Sequence, residues 1–474
     1  MTRSNWLKHA LLGGAALGFA ATAAHADELT NLKTELMLLQ NQVNAMQART
    51  PVMPSGASML TIRKGQGQLS NWAFLRDNGI APGQGYSFGI LPAADIPAPV
   101  SEITVAGTIR AQILYRDYDS LSLTGTDVIE RRPRRVTGFN ITGVEHENGK
   151  GDADVYSYNN RLSVAGRTDT ALGQVRGALL FDMDNSFGSA NMKKAWGEWD
   201  TAPGWTLAGG INAGTSSLEY SPDWYLSTID VISAAGGPTN STIEQVRMTY
   251  TTGPLSWAVA VENSSNGDFV AAGEGKGGAN LPDFASRINY TGTGFSFDIA
   301  GAIADDNEND TDWTIGASAS VSLAEKTTCL IAANYAEGYY RNFYKSAGSV
   351  GVSSIYSAFG SAALHDFAPD AKIWSAGTGL SFGLSDATTM NLAVGYTDFE
   401  FEDVGFGTGL PFNADVALTH ALANIIYTPI SQFSVGVEVD YARGDVDLAG
   451  TTVLLDDSRH ADAFGAGVGM WWRF

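Results

Sequence analysis

The chain has 474 residues, a formal net charge of -21, 54 glycines and only 17% charged residues. The acidic excess argues against nucleic acid as a partner. The single cysteine, Cys329, excludes an intramolecular disulfide and a cysteine-based metal site. The near-neutral mean hydropathy of -0.06 leaves a membrane barrel open, because strands that alternate lipid-facing and lumen-facing residues average their hydropathy away.

The first 26 residues have the pattern of a secretory signal peptide. Arg3 and Lys8 form a positive start, an apolar run follows, and Ala24-His25-Ala26 is a small-x-small cleavage site. We therefore predict a signal peptide over residues 1–26. No later stretch approaches the ~18 consecutive apolar residues of a membrane helix, so any further span must be made of strands.

Residues 27–50 carry a repeat typical of a coiled coil. Apolar residues recur at alternating spacings of three and four positions. They are Leu29, Leu32, Leu36, Leu39, Val43 and Met46. Pro51 and Pro54 end the helix. We favour a short parallel oligomerising coil over a single amphipathic helix on the barrel or membrane surface.

Residues 51–100 are rich in Gly, Pro, Gln and Ser, with apolar spots at Trp72 and Phe74. This composition is typical of a linker. Part of it could instead pack inside a barrel as a partial plug, and the sequence leaves both interpretations open.

Residues 101–474 alternate with a period of two, which predicts an all-β domain. In the first segment, Ile103, Val105 and Ile109 share one face and Thr108 and Arg110 the other. Sixteen strands are predicted: Glu102–Arg116, Ser157–Thr168, Gly173–Asp184, Met192–Asp200, Trp205–Asn212, Thr242–Tyr250, Leu255–Glu262, Asp283–Tyr290, Phe295–Ala304, Asp312–Leu323, Thr327–Tyr335, Lys372–Phe382, Thr388–Thr397, Val416–Tyr427, Gln432–Tyr441 and Ala461–Phe474.

The connections between these strands differ in length on the two sides. Short turns such as Thr201–Gly204 and Thr251–Pro254 alternate with mostly long connections, among them Asp117–Tyr156, Ala213–Ser241 and Asp398–Asp415. Short turns on one rim and long loops on the other are typical of outer-membrane barrels. We predict a 16-stranded antiparallel transmembrane β-barrel that Phe474 closes against the first strand.

Three stretches resemble the Gram-negative trimeric outer-membrane porins. Asn160–Asp182 resembles a porin hairpin, Trp205–Gly214 resembles the strand before the third loop, and Trp472-Arg473-Phe474 resembles the C-terminal signal that the barrel-assembly machinery recognises. The coil is similar to that of dicarboxylate-type and some alphaproteobacterial porins. The resemblance implies a homotrimer in the outer membrane, with lipopolysaccharide around it, and an inward-folded third loop.

A wide barrel leaves an aqueous channel unless a loop occupies it. The candidate loop, Ala213–Ser241, carries Glu219, Asp223 and Asp230, and the predicted lumen face of the wall carries Arg110, Arg161, Arg167, Arg176 and Arg247. Carboxylates facing guanidiniums would set a transverse field at the constriction. Alternatively, the arginines simply pair with lumen acids such as Asp182 and Glu198.

The first long connection contains a basic cluster, Arg131-Arg132-Pro133-Arg134-Arg135. It could attract anionic solutes, bind lipopolysaccharide phosphates, reach a neighbouring subunit, or be a solvated loop balanced by nearby glutamates. Acidic loops such as residues 305–310 could be bridged by divalent cations, although a solvated loop is the simpler interpretation.

We expect no enzyme, cofactor or metal site. The mature chain has four histidines, His146, His365, His420 and His460, and no nucleophile motif lies beside them. A passive diffusion porin is the favoured function. A channel selective for small anions such as carboxylates and a structural anchor or adhesin remain as alternatives.

Overall fold

The computed structural model describes residues 59–65, 74, 80, 84–91, 101–118, 149–157, 160–183, 191–216, 218, 242–263, 281–305, 311–338, 372–405, 411–450 and 457–474. The predicted signal peptide (1–26) and coiled coil (27–50) lie outside these residues. Within the described part of the chain, no helix is long and apolar enough to cross a membrane.

The described chain is built of antiparallel strands. Their bounds are β1 Met59–Lys64, β2 Tyr86–Leu91, β3 Ser101–Tyr118, β4 Gly149–Tyr156, β5 Arg161–Thr170, β6 Gly173–Asp182, β7 Asn191–Ala202, β8 Trp205–Ala213, β9 Thr242–Thr252, β10 Leu255–Glu262, β11 Asp283–Gly292, β12 Phe295–Asp305, β13 Thr311–Ala324, β14 Thr327–Glu337, β15 Lys372–Gly383, β16 Thr388–Gly405, β17 Pro411–Ile430, β18 Phe433–Gly450 and β19 Asp457–Arg473.

Sixteen strands close the barrel, as predicted. From β5 to β19 each strand pairs with the next. β5 pairs with Ser101–Thr108, the first half of β3, and we call this end of the barrel the lower end. β19 pairs with the other edge of β3. β4 continues the line of β5 along the upper half of β3. The last residue completes the closure, because Phe474 and Gly107 exchange backbone hydrogen bonds of 2.8 and 3.0 Å.

The barrel wall has an apolar outer face. Exposed side chains such as Ile109, Val246 and Val468 alternate with inward-facing polar ones. Aromatic pairs mark both rims, with Trp205–Tyr250 near the short turns and Trp374–Tyr396 near the long loops. Such girdles lie at membrane interfaces, so the band between them faces lipid.

The tight turns at the lower rim depend on backbone freedom at single positions. Gly204, in the turn between β7 and β8, has a φ of 80°. A Cβ atom there would also lie 2.6 Å from the Thr251 carbonyl oxygen. Only glycine satisfies both constraints, and the turn stays short.

Three predicted connections are shorter than expected. Residues 149–156, assigned to a loop, form β4. The predicted connection Asp398–Asp415 reduces to residues 406–410 because β16 and β17 are long, and residues 442–460 reduce to 451–456 because β18 and β19 are long. The alternation fails there for a physical reason. Above the lipid band water meets both faces of a strand, so charged residues such as Asp445 occupy outward positions and the apolar signal disappears.

Two further strands lie inside the predicted linker. β1 and β2 form a hairpin, and β2 pairs with the lower end of β3, from Tyr86↔Val105 to Ile90↔Ser101. β2 therefore continues the line of β19 beyond Phe474. Each strand has only six residues among many glycines and prolines, so its alternation is too brief to be distinguished from a linker.

Candidate channel constriction

The chain enters the barrel lumen directly after β8. Leu218 is 1% exposed and packs with Ala300, Leu330 and Ala332. These residues lie on the inner faces of β12 and β14, several strands away from β8 around the barrel. A Cβ atom on Gly316 of β13 would lie 2.6 Å from Leu218 Cδ1. The described start of the third loop, as far as Leu218, therefore turns into the lumen.

Two polar side chains hold the base of this loop. The Thr215 hydroxyl donates to Gln245 Oε1 at 2.9 Å, and Gln245 Nε2 donates to the Ala213 carbonyl at 2.6 Å. The backbone N–H of Thr215 donates to Glu262 Oε1. Gln245 and Glu262 are register partners on the inner faces of β9 and β10.

Gln245 and Glu262 were not among the predicted site residues. The alternation could have identified them, because both are polar residues on the lumen face. They lie on the two strands that follow the candidate loop, at the ends nearest to it. The predicted acidic residues of the loop, Glu219, Asp223 and Asp230, lie outside the described residues, and their role stays a prediction.

All five predicted arginines occupy inward-facing positions of the wall. The register places them on β3, β5, β6 and β9, at Arg110, Arg161, Arg167, Arg176 and Arg247. Arg167 and Arg176 are direct cross-strand partners. The structure thus brings the arginines together on one sector of the lumen, which we call the basic sector: the inner faces of β3 and β5–β9.

Arg176 is the most firmly held of the five. Its guanidinium makes a two-pronged contact with Asp200, at 2.7 and 2.8 Å, and its Nε donates to Glu198 Oε2 at 3.0 Å. Arg247 lies 3.7 Å from the other Glu198 oxygen. Glu198 therefore pairs with arginine, as the alternative interpretation supposed, whereas the ion pair seen at Asp182 is with Lys193, at 3.8 Å.

Indole rings fix two of the arginines. The Arg247 guanidinium carbon lies 4.8 Å from the centre of the Trp196 ring, and that of Arg110 lies 5.5 Å from the Trp471 ring. Trp196 Nε1 in turn donates to Glu198 Oε1 at 2.9 Å. Cation–π contacts and hydrogen bonds together restrict where these charges can point.

The remaining wall is mainly acidic. Among the described residues, the inner faces of β10–β19 carry six carboxylates but only two guanidiniums, those of Arg287 and Arg473. The carboxylates are Glu262, Asp283, Asp298, Asp312, Glu438 and Asp440. Arg287 is paired with Asp298 at 2.7 Å. Glu438 accepts from Asn424 at 2.9 Å. We call this the acidic sector.

The sequence predicted opposing acids on the third loop and lumen acids at Asp182 and Glu198, but the carboxylates on the inner faces of β10–β19 were not predicted. Glu438 and Asp440 were recognisable, since they alternate with the outward Val437, Val439 and Tyr441 in the predicted fifteenth strand. In the described residues, no group of three or more His, Cys, Asp or Glu side chains could hold a metal ion.

A closed 16-stranded barrel with an apolar outer band, a polar inner wall and an inward loop is a channel of the outer-membrane class. The family described as "Porin subfamily" matches residues 103–462, so the chain belongs to the porins. It is an outer-membrane channel protein of the Gram-negative type.

One solved structure, with a TM-score above 0.5, shows the same fold at low sequence identity. The outer membrane channel DcaP of Acinetobacter baumannii is 16% identical, with a TM-score of 0.55 over 79% of this chain and 97% of that chain. OmpT of Vibrio cholerae is 12% identical, with a TM-score of 0.47 over 79% and 98%. An anion-selective porin from Comamonas acidovorans is 11% identical, with a TM-score of 0.48 over 79% and 100%. No curated protein sequence matches the chain.

Proposed function

We propose that this porin admits small hydrophilic solutes and ions by passive diffusion, past a constriction between the third loop and the wall. The observation that carries the proposal is Leu218, at the described start of the third loop, which packs on the inner wall at β12–β14. Sixteen strands enclose more space than wall side chains fill, and a loop held inside would reduce that space.

The charge distribution supports a weak transverse field across the lumen. Among the described residues, the basic sector carries six cations, its five arginines and Lys194, against five carboxylates, whereas the acidic sector carries six carboxylates against two arginines. The carboxylates of the basic sector are Glu102, Asp169, Asp182, Glu198 and Asp200. The basic sector and the acidic sector lie on different parts of the inner wall, and Glu219, Asp223 and Asp230 would add to the acidic side if they point into the lumen. Two unit charges about 8 Å apart interact by about 0.5 kcal/mol in bulk water, and by more in a narrowed lumen. Such a field orients dipolar solutes and hinders apolar ones.

Liposome swelling with neutral sugars of increasing size tests the proposal. We expect swelling rates that fall smoothly with solute size and rise in proportion to concentration, because diffusion has no saturable step. A rate that saturates for one solute while similar solutes stay outside would contradict passive diffusion.

Selectivity for small anions such as carboxylates is the second candidate. It is favoured by Arg161, Arg167 and Arg176 on the adjacent strands β5 and β6, since guanidinium groups bind carboxylates with two parallel hydrogen bonds. Against it, Arg176 is already paired with Glu198 and Asp200. Block of single-channel current by millimolar dicarboxylate, absent with a neutral solute of equal size, would support this function.

We also propose a homotrimer joined in part by residues 27–50. The support is the heptad spacing of Leu29, Leu32, Leu36, Leu39, Val43 and Met46. Replacing Leu32 and Leu39 by Lys should lower the temperature at which the oligomer dissociates in detergent, as followed by analytical ultracentrifugation. Lys replacing Gln40 and Gln42, outside the apolar seam, is the matched control.

Trp472 and Phe474 are proposed as the assembly signal for the barrel-assembly machinery. Their side chains are partly exposed on the outer face at the lower rim, where Trp472 packs on Phe433 at 5.6 Å. The outer face would contact lipid and, at the upper rim, lipopolysaccharide. His420 lies on the inner face of β17, with its Nε2 3.7 Å from Asp440.

A further inference from the structure

The segment between β1 and β2 forms a loop with a closed neck. Gly65 N–H donates to the Gly85 carbonyl at 2.7 Å, and the Ser87 hydroxyl donates to the Gly65 carbonyl at 2.8 Å. Gly65 and Gly85 have φ values of 79° and 80°, which favour glycine. Residues 65–85, which we call the β1–β2 loop, thus leave and rejoin the sheet at one point.

That point is fixed to the lower rim of the barrel. Gln84 Nε2 donates to the Gly107 carbonyl at 2.7 Å, directly beside the Phe474 pairing. The Ser87 and Thr104 hydroxyls are 2.9 Å apart. A Cβ atom on Gly85 would overlap the Val105 carbonyl, so the neck approaches β3 as closely as a backbone can.

The two described residues in the middle of this loop lie inside the barrel. Phe74 and Ile80 are 6% and 0% exposed and pack on one patch of the inner wall. The patch crosses β3 and β5–β8 and consists of Ala106, Ala165, Ala178, Trp196 and Ala208. Phe74 also lies under Arg176, whose guanidinium carbon is 5.6 Å from the ring centre.

An apolar patch is unexpected on the inner wall of a water-filled barrel, where side chains are normally polar. Four of its five residues are alanines, whose small side chains leave room for a covering segment. Phe74 and Ile80 supply the matching apolar surface, and the cation–π contact ties the loop to the basic sector. The wall is therefore shaped to hold this loop.

We propose that the β1–β2 loop is a second, resident constriction element, which enters from the lower rim and covers the inner wall of β3 and β5–β8. It determines permeability together with the third loop, which docks on a different sector, β12–β14. The proposal deepens the diffusion function above and rests on it. Arg176 is then a contact of the loop, and Arg161 and Arg167 are the more available of the β5–β6 arginines for solute.

The test combines conductance with thiol accessibility. In a Cys329→Ser background, Ala178→Cys reports on the covered patch, and Ala393→Cys, on the inner face of β16, is the matched control. Each is made with the full loop and with residues 66–83 replaced by three glycines. A full-length Phe74→Ser and Ile80→Ser double variant tests the same contacts if the shortened chain does not fold. Heat modifiability verifies that each variant has folded.

Shortening the loop should make the thiol introduced at position 178 react severalfold faster with a charged methanethiosulfonate, with no change at position 393. Single-channel conductance should rise by about 1.5-fold if the loop fills the cross-section in front of the five strands on which Phe74 and Ile80 pack, about a third of the barrel. The double variant should show smaller changes of the same sign.

Two outcomes separate this proposal from the diffusion function. Equal reactivity of the two thiols with the full loop, and unchanged conductance in a folded shortened variant, would overturn the constriction role while leaving diffusion intact. Protection at position 178 with no conductance in any variant would instead contradict diffusion and retain the loop inside the lumen.

Discussion

Leu218→Ala tests whether the third loop is held across the lumen by its apolar contact. The side chain is almost fully buried against Ala300, Leu330 and Ala332. Truncating a buried leucine costs about 2–5 kcal/mol, and each 1.4 kcal/mol changes an equilibrium constant about tenfold. The ratio of docked to undocked loop should therefore fall by about 30-fold at the lower bound.

Single-channel recording in planar bilayers measures this change. We expect greater open-channel noise and brief excursions to higher conductance, because the loop leaves the β12–β14 wall more often. Leu392→Ala, which removes a leucine from the outer face of β16, should leave the trace unchanged. Traces of a folded Leu218→Ala channel that match the wild type would refute the role of Leu218 as the loop's anchor.

The remaining predictions concern closure, selectivity and the outer loops. Deleting Phe474 removes both backbone hydrogen bonds to Gly107, so the yield of heat-modifiable, membrane-inserted protein in cells should fall; normal assembly would count against the assembly signal. Arg176→Gln removes the two-pronged partner of Asp200 and the Nε donor to Glu198, so reversal potentials should shift toward cations, whereas Arg443→Gln on the outer face should have no effect; a shift toward anions would contradict this prediction. Neutralising the four arginines of residues 131–135 should reduce anion over cation permeability if that cluster draws anions inward, and an unchanged ratio rejects this role.

The barrel could be predicted from the sequence because lipid imposes a strict rule on the wall. Every outward residue between the two girdles meets hydrocarbon, so the period of two is continuous in strands such as β12 and β19. The rule weakens above the girdle, which is why β4 and the upper parts of β16 and β17 were taken for loops. It fails for β1 and β2 because six residues are too few.

The site was only partly predictable. Alternation places Arg110, Arg161, Arg167, Arg176 and Arg247 on the lumen face, and the structure agrees. The partners of Arg176 depend on the register of β6 and β7, which alternation does not supply. The docking of Leu218 and Phe74 on opposite parts of the wall depends on loop geometry, for which short-range patterns carry no information.

The most direct test of the account is the current through purified protein in a planar bilayer. A water-filled porin with loops held inside should give discrete, ohmic conductance steps that scale with the bulk conductivity of the salt, in threes if the trimer proposal holds. A folded, membrane-inserted protein that gives no steps at any salt concentration would contradict the diffusion channel.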